Sequence, residues 1–114
     1  MKCAYKLMRE PAWHKFAKSL MFFGSEVDLK DGFIHLSYAD QVAETAQRHF
    51  FGMPDLILCA VDCVGLGSAL KNESSRHGQL FPHLYRPLHW HEVFWHTSLH
   101  LGPDGAPVIP ILPS

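Results

Sequence analysis

An unbroken apolar run from Leu56 to Val61 constrains the fold of this chain more than any other segment. A continuous apolar run of this length predicts a strand that is buried on both faces. Such a strand needs packed layers on both sides, which the rest of the chain must supply. The chain has 114 residues, of which 47% are hydrophobic, enough for one domain with its own core. We therefore expect residues 1–114 to form a single domain.

Two helices and two further strands are predicted in the first half of the chain. Cys3 to Met8 reads as a strand, and Pro11 to Met21 has the apolar spacing of a helix. Ser25 to Asp31 is polar and predicts a loop, and Phe33 to Leu36 predicts a short buried strand. Ser37 is placed to cap the helix that follows.

The second half contains strands and loops. Val64 to Leu70 contains glycine residues and predicts a loop, and Lys71 to His77 is polar and contains Glu73. From His89 to His96, polar and apolar residues alternate, which predicts a strand. The whole order predicts an α+β domain. We expect a strongly curved sheet, mixed or antiparallel, with the two helices in the N-terminal half.

Charge and composition exclude several classes of protein. The net charge is -1 and the basic residues are scattered, so the basic footprint of a nucleic-acid-binding protein is missing. No segment approaches the roughly 20 apolar residues of a membrane-spanning helix, and the N-terminus does not resemble a signal peptide. The 3 cysteines fit reduced thiols better than a disulfide framework, so we expect a cytoplasmic protein. The oligomeric state stays open.

Two segments each place a histidine in apolar sequence with a hydroxyl two residues later. These pairs are His35 with Ser37 and His83 with Tyr85. In an extended chain, residues i and i+2 point to the same face, so each pair can present an imidazole and a hydroxyl together. We expect the two pairs to line one pocket. The alternative is a pair of core histidines with satisfied hydrogen bonds, and a Ser37 hydroxyl that only caps a helix.

A pocket for a nucleotide or a sugar phosphate suits the residue types around these pairs. Such a ligand needs hydrogen-bond donors, aromatic rings that stack on a base, and a carboxylate. The candidates are His35, Ser37, His83, Tyr85 and Arg86 as donors, Trp13, Phe33 and Phe81 as stacking rings, and Glu73 as the carboxylate.

Other chemistries are open on the sequence alone. His83, His89 and His91 would supply three ligands for a catalytic zinc ion, although no HExxH motif is present. Catalysis by Cys59 is disfavoured because an apolar strand penalises the thiolate. Ser37 lacks the GxSxG context of a hydrolase nucleophile. We therefore predict no metal ligands.

From Tyr5 to about Val93, the chain resembles a family of small bacterial proteins known only as a domain of unknown function. The resemblance rests on several segments taken together: Tyr5-Lys6, Trp13 with Ala17, Asp31-Gly32-Phe33-Ile34-His35-Leu36-Ser37, Gln41 with Thr45-Ala46, Asp55-Leu56, Glu73, and Phe81-Pro82-His83-Leu84-Tyr85.

That family is grouped with the ADP-ribosyltransferase superfamily. The segment Ile34-His35-Leu36-Ser37 is also similar to the His-Val-His-Leu-Ser segment of NAD-dependent RNA 2′-phosphotransferases. The resemblance implies a split sheet whose cleft grips NAD. It implies further that His35 and His83 hold phosphate or ribose, that Ser37 and Tyr85 position it, and that Glu73 stabilises the positive charge developing on the ribose.

The first strand departs from the superfamily pattern. Lys6 stands where a histidine usually holds the ribose, and a cationic lysine cannot accept a hydrogen bond from a hydroxyl. Arg9 and Arg86 are the nearest candidates for the arginines of the phosphotransferases.

We therefore expect a nucleotide-like ligand, NAD or a relative, in a pocket with His35, Glu73 and His83 as catalytic candidates. Transfer or hydrolysis of ADP-ribose is the expected activity. The departure at Lys6 favours the alternative of a non-catalytic module that binds a small metabolite.

Overall fold

Strands and short helices alternate along the chain in an α+β order, as predicted. The computed structural model describes residues 1–75 and 78–114. Arg76 and His77, at the end of the polar segment noted above, lie outside the described residues. The strands are β1 (Cys3–Arg9), β2 (Met21–Phe22), β3 (Ile34–His35), β4 (Ser37–Tyr38), β5 (Leu56–Asp62), β6 (Leu70–Ser74), β7 (Leu80–Leu84), β8 (Leu88–His89) and β9 (Val93–Leu99). The helices are α1 (Glu10–Ser19), α2 (Glu26–Asp31), α3 (Val42–His49) and α4 (Cys63–Leu66).

The strands form three separate sheets. The largest has the order β4-β1-β5-β9, a second has the order β3-β7-β6, and β2 pairs with β8. All pairings in the part of the chain that the structure describes are antiparallel, so the mixed form of the expected sheet is wrong. Short connections suffice between antiparallel neighbours, whereas parallel strands need long crossovers.

Strand β5 is buried on both faces, which confirms the prediction from its sequence. Ile57, Cys59 and Val61 pack into one hydrophobic cluster with α1 residues such as Trp13. Leu56, Leu58 and Ala60 pack on the opposite face, in a cluster that includes Val42 of α3. Alternation along the strand sends successive side chains to the two clusters. The central strand therefore holds the helical layers together.

The chain passes from one sheet to another at Leu36. Before it, His35 of β3 lies opposite His83 of β7. After it, Ser37 of β4 lies opposite Tyr5 of β1. The amide of Leu36 itself donates to the carbonyl of Pro82 at 3.0 Å. The two sheets separate at this point, so the predicted His35–Ser37 pair spans the split between them.

The predicted loop before this junction is wrong, because the segment forms helix α2. Ser25 and Asp28 make a capping box, with Asp28 N donating to Ser25 Oγ and Ser25 N donating to Asp28 Oδ2 at 2.8 Å. Gly32 ends the helix with φ 86°, a conformation that glycine adopts without strain. Local capping thus outweighs the polar composition that favoured a loop.

The predicted cap at Ser37 is also wrong. Ser37 belongs to strand β4, and its Oγ lies 3.2 Å from Oγ1 of Thr45. The turn before α3 is closed instead by the side chain of Gln41, which accepts a hydrogen bond from the amide of Tyr38 at 2.9 Å. The Ser37 hydroxyl therefore faces α3 and the split between the sheets.

Two regular elements of the second half are absent from the prediction. Cys63–Leu66 forms the one-turn helix α4, which Asp62 caps through the amide of Val64. Residues 70–74 form β6, which pairs with β7. With α2 included, three of the helices in the described residues lie before β5, where two were expected. None of the helices there is long and apolar enough to cross a lipid bilayer.

Candidate functional site

A cavity of about 510 Å³ opens where the two larger sheets separate. Strands β1, β3, β4 and β7 contribute to it, and helices α2 and α3 form two of its walls. Its apolar lining consists of Tyr5, Leu7, Val27, Leu36, Val42, Phe50 and Phe81. Its polar lining consists of Lys6, Ser25, Glu26, Asp28, His35, Ser37, Thr45, His49, Ser75 and His83. This mixture of apolar and convergent polar groups is typical of a small-molecule site.

His35 is held by two carboxylates. Its Nδ1 lies 2.6 Å from Oδ1 of Asp28, and its Nε2 lies 3.0 Å from Oδ2 of Asp31. Its backbone amide also donates to Asp28 Oδ1 at 3.0 Å. The Asp31 side chain is 42% exposed, whereas that of Asp28 is 2% exposed. Asp28 therefore holds the ring from the buried side, and Asp31 holds it from the solvent side.

Lys6 is almost fully buried beneath this histidine. Its Nζ lies 3.0 Å from Asp28 Oδ2 and donates to the carbonyl oxygen of His35 at 2.9 Å. The lysine sits on the face of β1 that Ala4 and Met8 turn toward the core, where an unpaired ammonium would be costly. The charge on Lys6 is thus matched by Asp28, and the pair ties β1 to α2 and β3.

Asp28 is ionised at the centre of this network. Burial alone would raise the pKa of its carboxyl. The hydrogen bond with His35, the charge of Lys6 and the amide of Ser25 outweigh burial and hold the pKa well below its ordinary value. The site therefore contains a buried carboxylate that is fully compensated by its neighbours.

His83 is oriented by a different carboxylate. Its Nδ1 lies 2.8 Å from Oε1 of Glu73 on the adjacent strand β6, and the Tyr85 hydroxyl donates to the same oxygen at 2.6 Å. The bonds from Tyr85 and His83 lower the pKa of Glu73, and the bond to Glu73 raises the pKa of Tyr85. Glu73 is consequently an acceptor that orients His83 from behind.

The two histidines are close together and share an aromatic neighbour. As direct partners across β3 and β7, their ring centroids lie 5.6 Å apart. Phe33 stacks on His83 at 4.1 Å with an interplanar angle of 21°, and its centroid lies 4.6 Å from that of His35. Phe33 therefore fixes both imidazoles with its ring.

The structure brings most of the predicted site residues together. Those that line the cavity are Lys6, His35, Ser37, Phe81 and His83. A second group lies behind them: Phe33 and Glu73 contact His83, and Tyr85 donates to Glu73. Both histidines and Ser37 thus line one cavity, whereas Tyr85 of the second predicted pair lies outside its lining.

Trp13 and Arg86 lie elsewhere. Trp13 is buried in the core, where its ring centroid is 4.8 Å from that of Trp90. Arg86 makes a bidentate ion pair with Glu92, with N–O distances of 2.9 and 2.7 Å. Both side chains stabilise the segment between β7 and β9, and neither lines the cavity.

Sequence reasoning missed the two carboxylates of α2. The sequence predicts a loop for Asp28 and Asp31, so it gives no indication of their approach to His35. The signal was present as the Ser25-x-x-Asp28 spacing, a capping box with aspartate in place of the more usual glutamate. Once α2 is recognised, Asp28 and Asp31 lie one turn apart on the same face.

The alternatives of metal and thiol chemistry gain no support. The rings of His89 and His91 are 5.4 Å apart, but His83 is engaged with Glu73 and Phe33. Within residues 1–75 and 78–114, no group of three or more histidine, cysteine or acidic side chains could hold a metal ion. Burial raises the pKa of the Cys59 thiol to about 12, which disfavours a nucleophilic thiolate.

Removal of the buried carboxylate tests its structural role. Asp28→Ala leaves the Lys6 ammonium buried without its partner, so we expect a loss of about 3–5 kcal/mol in the free energy of unfolding. Asp31→Ala is the matched control, because it removes a carboxylate from the same histidine at an exposed position, and about 0–1 kcal/mol is expected. Urea unfolding measures both, and equal losses would show that burial of Asp28 is not the cause.

Acidification provides a second test of the same residue. Because the pKa of Asp28 is lower in the folded than in the unfolded chain, the unfolded chain takes up the proton first as the pH falls. The stabilisation from Asp28 is complete above the unfolded pKa of about 3.9 and is lost as the pH falls below it. The free energy of unfolding of the wild type should therefore fall more steeply below about pH 4 than that of Asp28→Asn. Parallel pH profiles for the two proteins would contradict this account.

Comparison with known proteins places this chain in a family. A search of curated proteins finds no match. The crystal structure of protein CC0527 from Caulobacter crescentus is 46% identical over 93% of this chain and 93% of that chain, with a TM-score of 0.91. The solution NMR structure of CC0527 is 47% identical over 92% and 90% of the two chains, with a TM-score of 0.84. Residues 7–96 match the family described as "Protein of unknown function (DUF952)". The chain therefore belongs to the DUF952 family.

Proposed function

We propose that the cleft between the sheets binds NAD or a related nucleotide, as an ADP-ribosyltransferase-like fold would. The observation that carries the proposal is the mixed lining of one cavity. The polar lining includes His35, His83 and Ser37, and the apolar lining includes Val42 and Phe50. A nucleotide likewise combines a polar ribose phosphate with a planar base.

Size and position agree with this ligand. A cavity of about 510 Å³ falls in the range of cofactor sites. The site lies at a split between two sheets, where strand ends can present several side chains to one molecule. In the proposed complex the ribose phosphate lies against His35 and His83, and Ser37 positions it by hydrogen bonding. Asp31 would leave His35 Nε2 when the ligand arrives.

The possible chemistry is cleavage of the bond between nicotinamide and ribose. That step develops positive charge on the ribose, and preorganised negative charge lowers its barrier. The Glu73 carboxylate lies directly behind His83, so it favours positive charge in the cleft through the imidazole. Transfer or hydrolysis of ADP-ribose would follow, according to the acceptor. The free thiols of Cys3, Cys59 and Cys63 fit a reducing compartment, so we place the activity in the cytoplasm.

A non-catalytic binding module is the second candidate. Lys6 favours it, because the position expected to accept a bond from the ribose holds a cation already engaged with Asp28 and the His35 carbonyl. The Glu73→Ala variant separates the candidates. Turnover collapses in an enzyme, whereas ligand affinity survives in a binder.

A thermal-shift titration with NAD, ADP-ribose and nicotinamide tests the binding directly. A ligand at 100 times its dissociation constant stabilises the folded state by about 2.7 kcal/mol. For a domain of this size, the corresponding rise in Tm is about 10 °C. We expect a rise with NAD and ADP-ribose, and release of nicotinamide from NAD if the site is catalytic.

His83→Ala and His14→Ala provide the controls. His83 lines the cavity, whereas His14 is exposed on α1 and outside it. The rise in Tm should shrink in the first variant and persist in the second. An unchanged Tm of the wild type with all three compounds, or equal losses in both variants, would contradict nucleotide binding in this cleft.

A further inference from the structure

We propose that His35 and His83 form a general acid and general base pair that hydrolyses a phosphodiester of a nucleotide. This goes beyond cleavage at ribose, and it rests on the proposed binding of a nucleotide in the cleft. The basis is geometric. The two imidazoles are direct partners across β3 and β7, their centroids are 5.6 Å apart, and both line one cavity.

Each imidazole is backed by its own carboxylate. Asp28 holds Nδ1 of His35 at 2.6 Å, and Glu73 holds Nδ1 of His83 at 2.8 Å. A carboxylate at one ring nitrogen fixes the orientation of the ring and stabilises the imidazolium that forms when the other nitrogen takes a proton.

The Nε2 atoms of the two rings have different surroundings, and this difference assigns the roles of acid and base. His83 Nδ1 donates to Glu73, so its Nε2 carries the lone pair. Within the described residues, no hydrogen-bond partner is found at His83 Nε2. Since His83 lines the cavity, we assign this second nitrogen to the ligand. His83 is therefore the base.

His35 has the opposite arrangement. Asp28 and Asp31 face its two nitrogens at 2.6 and 3.0 Å, and carboxylates only accept hydrogen bonds. Both bonds form together only when the ring carries a proton on each nitrogen. When a ligand displaces the exposed Asp31, Nε2 presents a proton to it. His35 is therefore the acid.

The need for an acid points to an ester oxygen as the leaving group. Nicotinamide leaves a ribose as a neutral molecule and needs no proton. An alkoxide that leaves phosphorus does need one. In the proposed step, His83 Nε2 removes a proton from water as the water oxygen bonds to phosphorus. The bond from phosphorus to the ester oxygen breaks, and that oxygen takes the proton of His35 Nε2. The products are an alcohol and a phosphate monoester, and the rings exchange protons with solvent.

Two esters of one nucleotide test the assignment: thymidine 5′-(4-nitrophenyl phosphate) and thymidine 5′-(methyl phosphate). The 4-nitrophenolate group leaves without a proton, whereas methoxide requires one. We expect His83→Gln to slow hydrolysis of both esters by about 10²-fold or more, the usual contribution of a general base. His35→Gln should slow both esters through weaker phosphate binding, but it should lower kcat for the methyl ester by a factor about 10²-fold larger than for the nitrophenyl ester, because only methoxide needs the proton.

Comparing the two esters within one variant distinguishes a catalytic effect from misfolding, because an unfolded protein loses activity on both esters. Melting curves of each variant verify the fold. Asp31→Asn supplies a further variant with both imidazoles intact, and it should lower KM for both esters because Asp31 competes for His35.

Equal losses on the two esters in a folded His35→Gln protein would overturn the acid assignment. Binding of NAD and ADP-ribose without hydrolysis of either ester would overturn the pair and leave the proposed function standing. Absence of all binding and hydrolysis would overturn both.

Discussion

The buried carboxylate of Asp28 is the interaction on which the cleft depends. It accepts hydrogen bonds from Lys6 on β1, from the backbone and ring of His35 on β3, and from Ser25 at the start of α2. Three elements from separate parts of the chain therefore meet at one side chain. Because each donor would be costly to bury alone, the network holds the sheets and α2 in a fixed relation.

This network also explains why Lys6 stands on a strand that is otherwise apolar. Its charge neutralises Asp28, and its bond to the His35 carbonyl supports the main chain just before the sheets separate at Leu36. The second histidine is fixed independently, by Glu73 and Phe33. The cleft thus has two imidazoles on a rigid frame, one flanked by a movable carboxylate and one not. That asymmetry is the basis of the roles proposed for them.

Parts of this arrangement follow from the sequence, and the reasons are physical. The apolar run of β5 and the helical spacing of apolar residues in α1 both reflect burial, so both elements can be predicted from the sequence. The two histidine segments do meet at one cavity, but not because the side chains of each pair share a strand face. His35 and Ser37 lie on strands of different sheets, and Tyr85 lies outside the cavity lining. Helix α2 was missed because a short helix depends on its caps more than on an apolar stripe. The role of Asp28 was missed for the same reason. Its contacts with Lys6 and His35 join distant parts of the chain and leave no local sequence pattern. Trp13 shows the converse, since an aromatic suited to stacking on a ligand is used in the core.

Nucleotide binding by the two histidines at the split between the sheets can be observed residue by residue. We would titrate isotope-labelled protein with ADP-ribose and follow the imidazole nitrogen signals of individually assigned histidines. The signals of His35 and His83 should move together with one dissociation constant, while those of His14 and His91 stay in place. Unmoved signals at His35 and His83, or changes confined to the other histidines, would contradict it.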